Sequence, residues 1–99
     1  MPLRRDNKHE PIVDLDILTA RFPLTTPDGK EVIWGEVSDF ALREAAMRDG
    51  KQEGLEKHAL FEHYRPILEG LASELYDEGK YGKDASTGML VVRVPNGRL

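Results

Sequence analysis

The fold of this chain is decided by the stretch from Leu55 to Tyr76, which reads LEKHALFEHYRPILEGLASELY. Its apolar side chains recur at intervals of three and four residues, at Leu60, Phe61, Tyr64, Ile67, Leu68, Leu71, Ala72 and Leu75. This period predicts an amphipathic helix with one broad apolar face. Because the stretch lies between strand-like segments, it predicts a small α+β domain with a single core.

Three strands surround this helix in the sequence. Alternating apolar side chains and turn residues indicate strands at about 18–23, 31–37 and 87–94. Pro27, Asp28 and Gly29 predict a tight turn that pairs the first two strands as a hairpin, with glycine supplying a positive φ. Residues 79–84 are polar and predict a loop.

A shorter helix is predicted between the hairpin and the long helix. Ser38 or Asp39 can cap its first turn, and Gly50 can end it. Within the long helix, Pro66 removes a backbone donor and crowds the carbonyl of Glu62, so we expect a kink or two helices meeting end to end. The predicted order is β-β-α-α-β, a three-stranded antiparallel sheet with two helices packed on one face.

Two helices cover only one face of such a sheet. Alternation assigns to that face Leu18, Ala20, Phe22, Ile33, Val37, Leu90, Val92 and Val94. It assigns to the opposite face Thr19, Arg21, Val32, Trp34, Glu36, Met89, Val91 and Arg93. Four members of the second set are more apolar than a solvent-exposed sheet face requires. We therefore expect something to cover this second face.

Trp34 is the central candidate on the second face, because tryptophan and arginine are frequent anchors of protein interfaces. The predicted interface consists of Arg21, Val32, Trp34, Met89, Val91 and Arg93. In the first interpretation the chain is an interaction module, either a homodimer or bound to another protein. In the second, the segment with Ile12, Val13 and Leu15 folds back over Trp34. In the third, the aromatic ring and the arginines stack nucleic-acid bases.

Length and composition limit the class of protein. The 99 residues make one domain, with 12–99 as a single α+β domain and 1–11 as a flexible basic lead-in carrying Arg4, Arg5 and Lys8. The absence of cysteine excludes disulfides and thiolate sites. No secretory signal or long apolar run is present, so a cytoplasmic location without membrane contact is expected. The net charge of -4 disfavours nucleic acid as the partner.

Candidate catalytic and metal-ligating residues are weak in this sequence. His58 and Glu62 are four residues apart on the long helix and could share a metal, but the sequence places no third ligand beside them. Asp14 and Asp16 share one side of an extended segment, without the glycine-rich loop of a calcium site. The prediction is a non-enzymatic protein with no catalytic, metal or cofactor residues, and a nucleic-acid-associated regulator as the alternative to the interaction module.

The ordered set of motifs resembles a family of short bacterial proteins known as domain of unknown function 1488. The resemblance covers about residues 17–99. It rests on Phe22, Asp28-Gly29, Val37-Ser38, Ala41-Leu42, Phe61, Arg65, Ile67, Leu71-Ala72, the stretch from Tyr76 to Lys80 and the closing strand. Pro66 departs from the family pattern. The resemblance implies a small α+β fold and brings no established activity or functional residues.

Overall fold

The computed structural model describes residues 3–13, 18–50 and 56–99. Within these ranges the strands are β1 (Arg4–Arg5), β2 (Thr19–Thr25), β3 (Val32–Ser38), β4 (Gly82–Lys83) and β5 (Leu90–Arg93), and the helices are α1 (Asp39–Arg48) and α2 (Lys57–Asp77). The strands form one sheet in the order β1-β2-β3-β5-β4. The helices pack on one face of this sheet, and the predicted α+β class is confirmed.

The sheet differs from the predicted three-stranded antiparallel sheet. It has five strands, and β3 pairs with β5 in parallel while the other neighbours are antiparallel. β4 lies in the segment predicted as a polar loop, and β1 lies in the segment predicted as a lead-in. Each of these two strands has two residues, which is too short for an alternating pattern to reveal.

The parallel pairing of β3 and β5 follows from where the helices begin. Lys57, the first residue of α2, contacts Asp39, the first residue of α1, with 2.9 Å between Nζ and Oδ1. Its ammonium also donates to the carbonyl of Thr19. Both helices therefore start at the same end of the sheet. Only α2 runs back to the other end, where its Glu69 forms an ion pair with Arg5 of β1. A single crossover helix makes the strands it connects parallel.

α2 is one continuous helix from Lys57 to Asp77 with Pro66 inside it. The predicted alternative of two helices meeting end to end is therefore wrong. Pro66 and its neighbour Ile67 are exposed, so the proline ring lies on the solvent side of the helix. The buried face is otherwise the predicted one, with Leu60, Phe61, Tyr64, Leu68, Ala72 and Leu75.

The core lies between the helices and the covered face of the sheet. Its fully buried strand residues are Ala20, Phe22, Leu24, Ile33, Val37 and Val92. Leu18, which the sequence places on this face, is instead exposed. β2 begins at Thr19 and extends to Thr25, so the alternation of the strand does not reach Leu18 and Leu24 takes an inward position.

The local signals for the turn and the first helix agree with the structure. Gly29 has a φ of 73° and its amide donates to the carbonyl of Thr26, as the turn pattern predicts. Ser38 is the cap of α1, because its Oγ accepts from the amide of Ala41 at 3.1 Å. Neither α1 nor α2 is long and apolar enough to cross a membrane.

Candidate functional site

The predicted interface residues all lie on the sheet face that the helices leave uncovered, which we call the second face. Trp34 of β3 is in register with Val91 of β5, and Glu36 is in register with Arg21 on one side and Arg93 on the other. Val32 follows on the same face because side chains alternate along β3. Met89 directly precedes β5 and continues its pairing with the β4 side, because its carbonyl accepts from the amide of Asp84 at 2.8 Å. The structure thus brings together the six residues that the sequence selects.

Trp34 is covered by the protein's own N-terminal segment and is only 7% exposed. The ring of His9 packs edge-on against the indole, with the two ring centroids 6.2 Å apart. Asp6 holds His9 in this position, because a buried Asp6 carboxylate lies 2.6 Å from Nδ1 of His9 and accepts from the amide of Lys8 at 2.7 Å. His9 therefore closes over the residue predicted to be the anchor of the interface.

The surroundings of Asp6 keep its carboxyl group ionised beside His9. Burial raises its pKa, but the hydrogen bonds from the Lys8 amide and the His9 ring lower it more. The net result is a pKa below the ordinary value, so Asp6 is ionised at neutral pH and its charge is balanced by the donors around it.

The covering segment follows the edge of β2. Arg4 and Arg5 pair with Thr25 and Leu24, and Ile12 exchanges backbone hydrogen bonds with Arg21. Residues 3–13 therefore contribute a strand and a bridge to the sheet, and the strand lies within 1–11, where the sequence predicts a flexible lead-in. Of the residues predicted to fold back over Trp34, Ile12 is half-exposed, Val13 packs against the core, and Leu15 lies outside the described residues.

An ion-pair cluster lies beside Trp34 on the second face. The carboxylate of Glu36 contacts both arginines, with Oε2 at 2.8 Å from Nε of Arg21 and Oε1 at 3.3 Å from Nε of Arg93. Arg21 also reaches Oδ2 of Asp84 at 3.4 Å. Glu36 is largely buried and binds Arg21 by a hydrogen bond, whereas Arg93 is an exposed side chain that forms an ion pair with it.

Asp84 remains charged in this cluster. The hydroxyl and the amide of Ser86 donate to its Oδ1 at 2.7 Å and 2.9 Å, and these bonds together with the nearby Arg21 lower its pKa. The loop that carries Asp84 follows β4, so this edge strand places a second carboxylate against Arg21.

A cleft of about 750 Å³ opens between the arginines and the segment around β4. Its lining residues are Arg21, Gly79, Lys80, Tyr81, Gly82, Lys83, Asp84, Ala85, Val91 and Arg93. Four of these side chains are cationic and one is anionic, whereas the whole chain has a net charge of -4. The lining of the cleft is therefore cationic on an acidic protein, while Glu36 and Glu78 outside the lining form ion pairs with the two arginines and with Lys80.

The other interface candidates differ in exposure. Val91 is buried and contributes to the cleft, Val32 is half-buried, and Met89, directly before β5, is 40% exposed. Arg93 is exposed along most of its side chain. The surface that the second face offers to a partner is thus Met89, Arg93 and the cleft rather than Trp34 itself.

Glu36, Asp84 and His9 belong to this site but are not among the interface residues predicted from the sequence. Glu36 and Arg21 could have been paired from the turn alone, because a hairpin closed between Thr26 and Glu31 places residues 21 and 36 opposite each other. Asp84 and His9 reach the second face through contacts distant in sequence, and no local pattern indicates them.

The weaker candidates for chemistry are not assembled into a site. His58 and Glu62 are exposed on α2, and Glu62 lies 3.7 Å from Arg65 rather than beside a further ligand. In the three described ranges, no group of three histidine or carboxylate side chains could hold a metal ion. Asp14 and Asp16 lie outside the described residues.

The architecture places this chain among α+β proteins in which two helices cover one face of a mixed five-stranded sheet. Neither the known family models nor the curated proteins contain a match to it. Among solved structures it is similar to a protein of unknown function from the DUF1488 family of Shewanella loihica PV-4. The two share 18% sequence identity with a TM-score of 0.63, over 94% of this chain and 91% of the other. The resemblance seen in the sequence is confirmed as a common fold.

Proposed function

We propose that this chain is a small, non-enzymatic cytoplasmic protein that binds a protein partner through the second face. The observation that carries the proposal is the combination of exposed Met89 with a cationic cleft lined by Arg21 and Arg93. Apolar side chains flanked by arginines are typical of the contact regions of protein interfaces. The acidic net charge of the rest of the chain makes this region electrostatically distinct.

A partner other than a second copy fits this face better than a homodimer. His9 and the N-terminal segment bury Trp34, which leaves two exposed aliphatic side chains, Met89 and Ile12, on this side of the described sheet, beside the exposed Tyr81 of the cleft lining. Stable homodimers bury roughly 800 Å² or more per subunit and are more apolar than other interfaces. Two such side chains beside a charged cleft favour a smaller and more polar contact.

Site-specific photo-crosslinking tests the proposal. A photoreactive amino acid replaces Met89 in the full chain, and the matched control carries it at Met47, which is also exposed but lies on α1 away from the second face. We expect position 89, and not position 47, to form adducts with a defined protein in the cell of origin. Identical adducts from both positions, or none from position 89, contradict the proposal. Sedimentation velocity shows whether the adduct is a second copy.

Binding to nucleic acid is the second candidate function, and the cationic cleft is the observation that favours it. Arg4 and Lys8 on the N-terminal segment add to the positive charge available near β2. A complex formed mainly by phosphate contacts weakens steeply as salt is added. We expect a single-stranded RNA oligonucleotide to show such binding if this candidate is correct, and no binding at low salt if it is not.

A further inference from the structure

The two arginines of the second face are positioned with most of their hydrogen-bonding capacity unused. Glu36 contacts each guanidinium at Nε, and Asp84 contacts one terminal nitrogen of Arg21. The contact of Arg93 with Glu36 is made at Nε, and the Arg93 side chain is 80% exposed. A guanidinium group carries five donors arranged as a rigid fork, so both side chains can still bind an oxyanion with paired hydrogen bonds.

Glu36 prepares these arginines for a ligand. Holding two long side chains in one orientation reduces the rotamer freedom that a ligand would otherwise have to remove. Because the carboxylate that holds them is largely buried in the sheet face, it does not occupy the open side of Arg93, which remains exposed. Arg21, which is bound by Glu36 and Asp84, is therefore oriented before a ligand arrives, and the same Glu36 carboxylate keeps the exposed Arg93 near it.

The charges around the arginines select among anions. Lys80 and Lys83 on the β4 side add positive charge to the cleft, which favours negatively charged ligands. Glu36 and Asp84 are fixed negative charges within the same cluster, and they repel a ligand with phosphate at every unit. A ligand whose carboxylates are separated by uncharged positions can reach the arginines and avoid both carboxylates.

The apolar residues of the face favour the same ligand. Val91 lines the cleft between the arginines and β4, and Met89 is exposed on the same face two residues before it. A polypeptide can place an apolar side chain on these residues while its neighbouring carboxylates contact the arginines. A nucleic acid has no aliphatic side chain to place there.

We propose that the cleft binds an acidic segment of the partner protein, in which aspartate or glutamate side chains contact Arg21 and Arg93 and an intervening apolar side chain packs on Val91 and Met89. This inference rests on the proposed function and names the chemistry of its partner. Glu36 acts as a positioning residue for the two arginines.

Titration of the full chain with defined probes tests this inference. The probes are a short peptide of alternating glutamate and leucine, a lysine–leucine peptide of the same length, inorganic phosphate and a single-stranded oligouridylate. The signal is the emission of Trp34, which is the only tryptophan of the chain and is in register with Val91. We expect the glutamate–leucine peptide to bind and the lysine–leucine peptide not to bind.

Variants of Arg93 test whether the arginines bind the peptide. We expect Arg93→Glu to weaken the affinity for the glutamate–leucine peptide at least about tenfold. Arg93→Lys keeps the charge but loses the fork, and we expect it to weaken binding by a smaller factor. Lys30→Glu makes the same change in net charge on the exposed hairpin turn, and we expect it to alter affinity less than twofold, about the effect of a screened surface charge.

The outcomes separate this inference from the proposed function. If the glutamate–leucine peptide does not bind, or if Lys30→Glu weakens it as much as Arg93→Glu, the inference is wrong even when the crosslink at position 89 persists. If oligouridylate binds more tightly than the peptide and depends on Arg93, the partner is a nucleic acid. Binding of phosphate alone identifies a small-anion site and also overturns the inference.

Discussion

Gly35 and Phe22 face each other across β2 and β3, on the side of the sheet that the helices cover. The phenylalanine ring occupies the space where any other residue at position 35 would carry its Cβ, which would lie 2.2 Å from the ring. The close approach lets Phe22 lie flat on the sheet and contact Phe61 of α2, with ring centroids 6.0 Å apart. A missing side chain on β3 thus makes room for the helix layer.

We expect Gly35→Ala to destabilise the protein by about 2 kcal/mol or more, because the methyl group overlaps a buried ring that cannot move without disturbing its neighbours. Gly70 provides the matched control, since it lies in α2 with open space around it. Gly70→Ala should stabilise the helix by up to about 1 kcal/mol. Urea unfolding measures both changes. Equal effects of the two substitutions would show that packing against Phe22 is unimportant.

Alternation predicts the inward direction of Phe22, Ile33 and Val37 from the sequence because each has an apolar side chain at the correct parity. It gives no information about Gly35, which has no side chain to classify. At the scale of single residues, alternation therefore predicts which side chains fill the core. It does not predict where the lack of a side chain, as at Gly35, leaves space for a neighbouring ring.

At the scale of secondary-structure elements, Lys57 connects the starts of both helices to the start of β2. Its buried ammonium contacts the carboxylate of Asp39 and the carbonyl of Thr19. A lysine is rarely this deeply buried unless it is paired. The contact places the start of α2 beside the start of α1 and so determines that α2 is the crossover between β3 and β5.

Lys57→Met tests this role. It keeps a long, largely apolar side chain but leaves the Asp39 carboxylate and the Thr19 carbonyl without the ammonium, so we expect a loss of about 2–3 kcal/mol in the free energy of unfolding. The same substitution at exposed Lys30 should change stability by less than about 0.5 kcal/mol. Thermal or urea unfolding of the two variants makes the comparison. A Lys57→Met protein as stable as the Lys30 variant would contradict the structural role.

The elements that the sequence predicts are those specified by local interactions. The period of α2, the turn at Gly29 and the Ser38 cap each depend on residues a few positions apart. The two-residue strands and the parallel pairing depend instead on contacts between distant segments, such as the one between Lys57 and Asp39. No local pattern contains that information, and the three-stranded antiparallel sheet predicted from the sequence is accordingly replaced by a mixed one.

For the whole molecule, the second face also has some features that local patterns predict and others that depend on contacts between distant segments. Alternation alone places the six interface candidates on one face, because the hairpin register and the closing strand are both regular. What covers that face depends on the path of residues 3–13, where charged and polar residues carry no periodic pattern. The covering of Trp34 by His9 is a tertiary arrangement that becomes visible only in the structure.

This arrangement predicts how the molecule responds to acid. The hydrogen bonds from Lys8 and His9 outweigh burial and hold the pKa of Asp6 below its ordinary value of 3.8. A carboxyl group whose pKa is lower in the folded state contributes stability that is fully present above its unfolded value and is lost as the pH falls through the folded value. The N-terminal segment should therefore stay on Trp34 at pH 3.8 and separate from it only at a lower pH, where the folded protein protonates Asp6.

Quenching of Trp34 emission by acrylamide measures this separation. We expect quenching in the wild-type protein to increase only as the pH falls below 3.8, toward the lowered pKa of Asp6. In Asp6→Asn it should be high already at neutral pH, since local segments can open without global unfolding. Asp28 in the hairpin turn is the control, because its pKa is also lowered, by hydrogen bonds from Thr26 and Lys30, but it lies away from His9. Asp28→Asn should leave Trp34 shielded at neutral pH. If Trp34 is equally shielded in Asp6→Asn, His9 stays on the indole without the carboxylate of Asp6. The pairing of residues 4–12 with β2 then keeps the second face covered by itself.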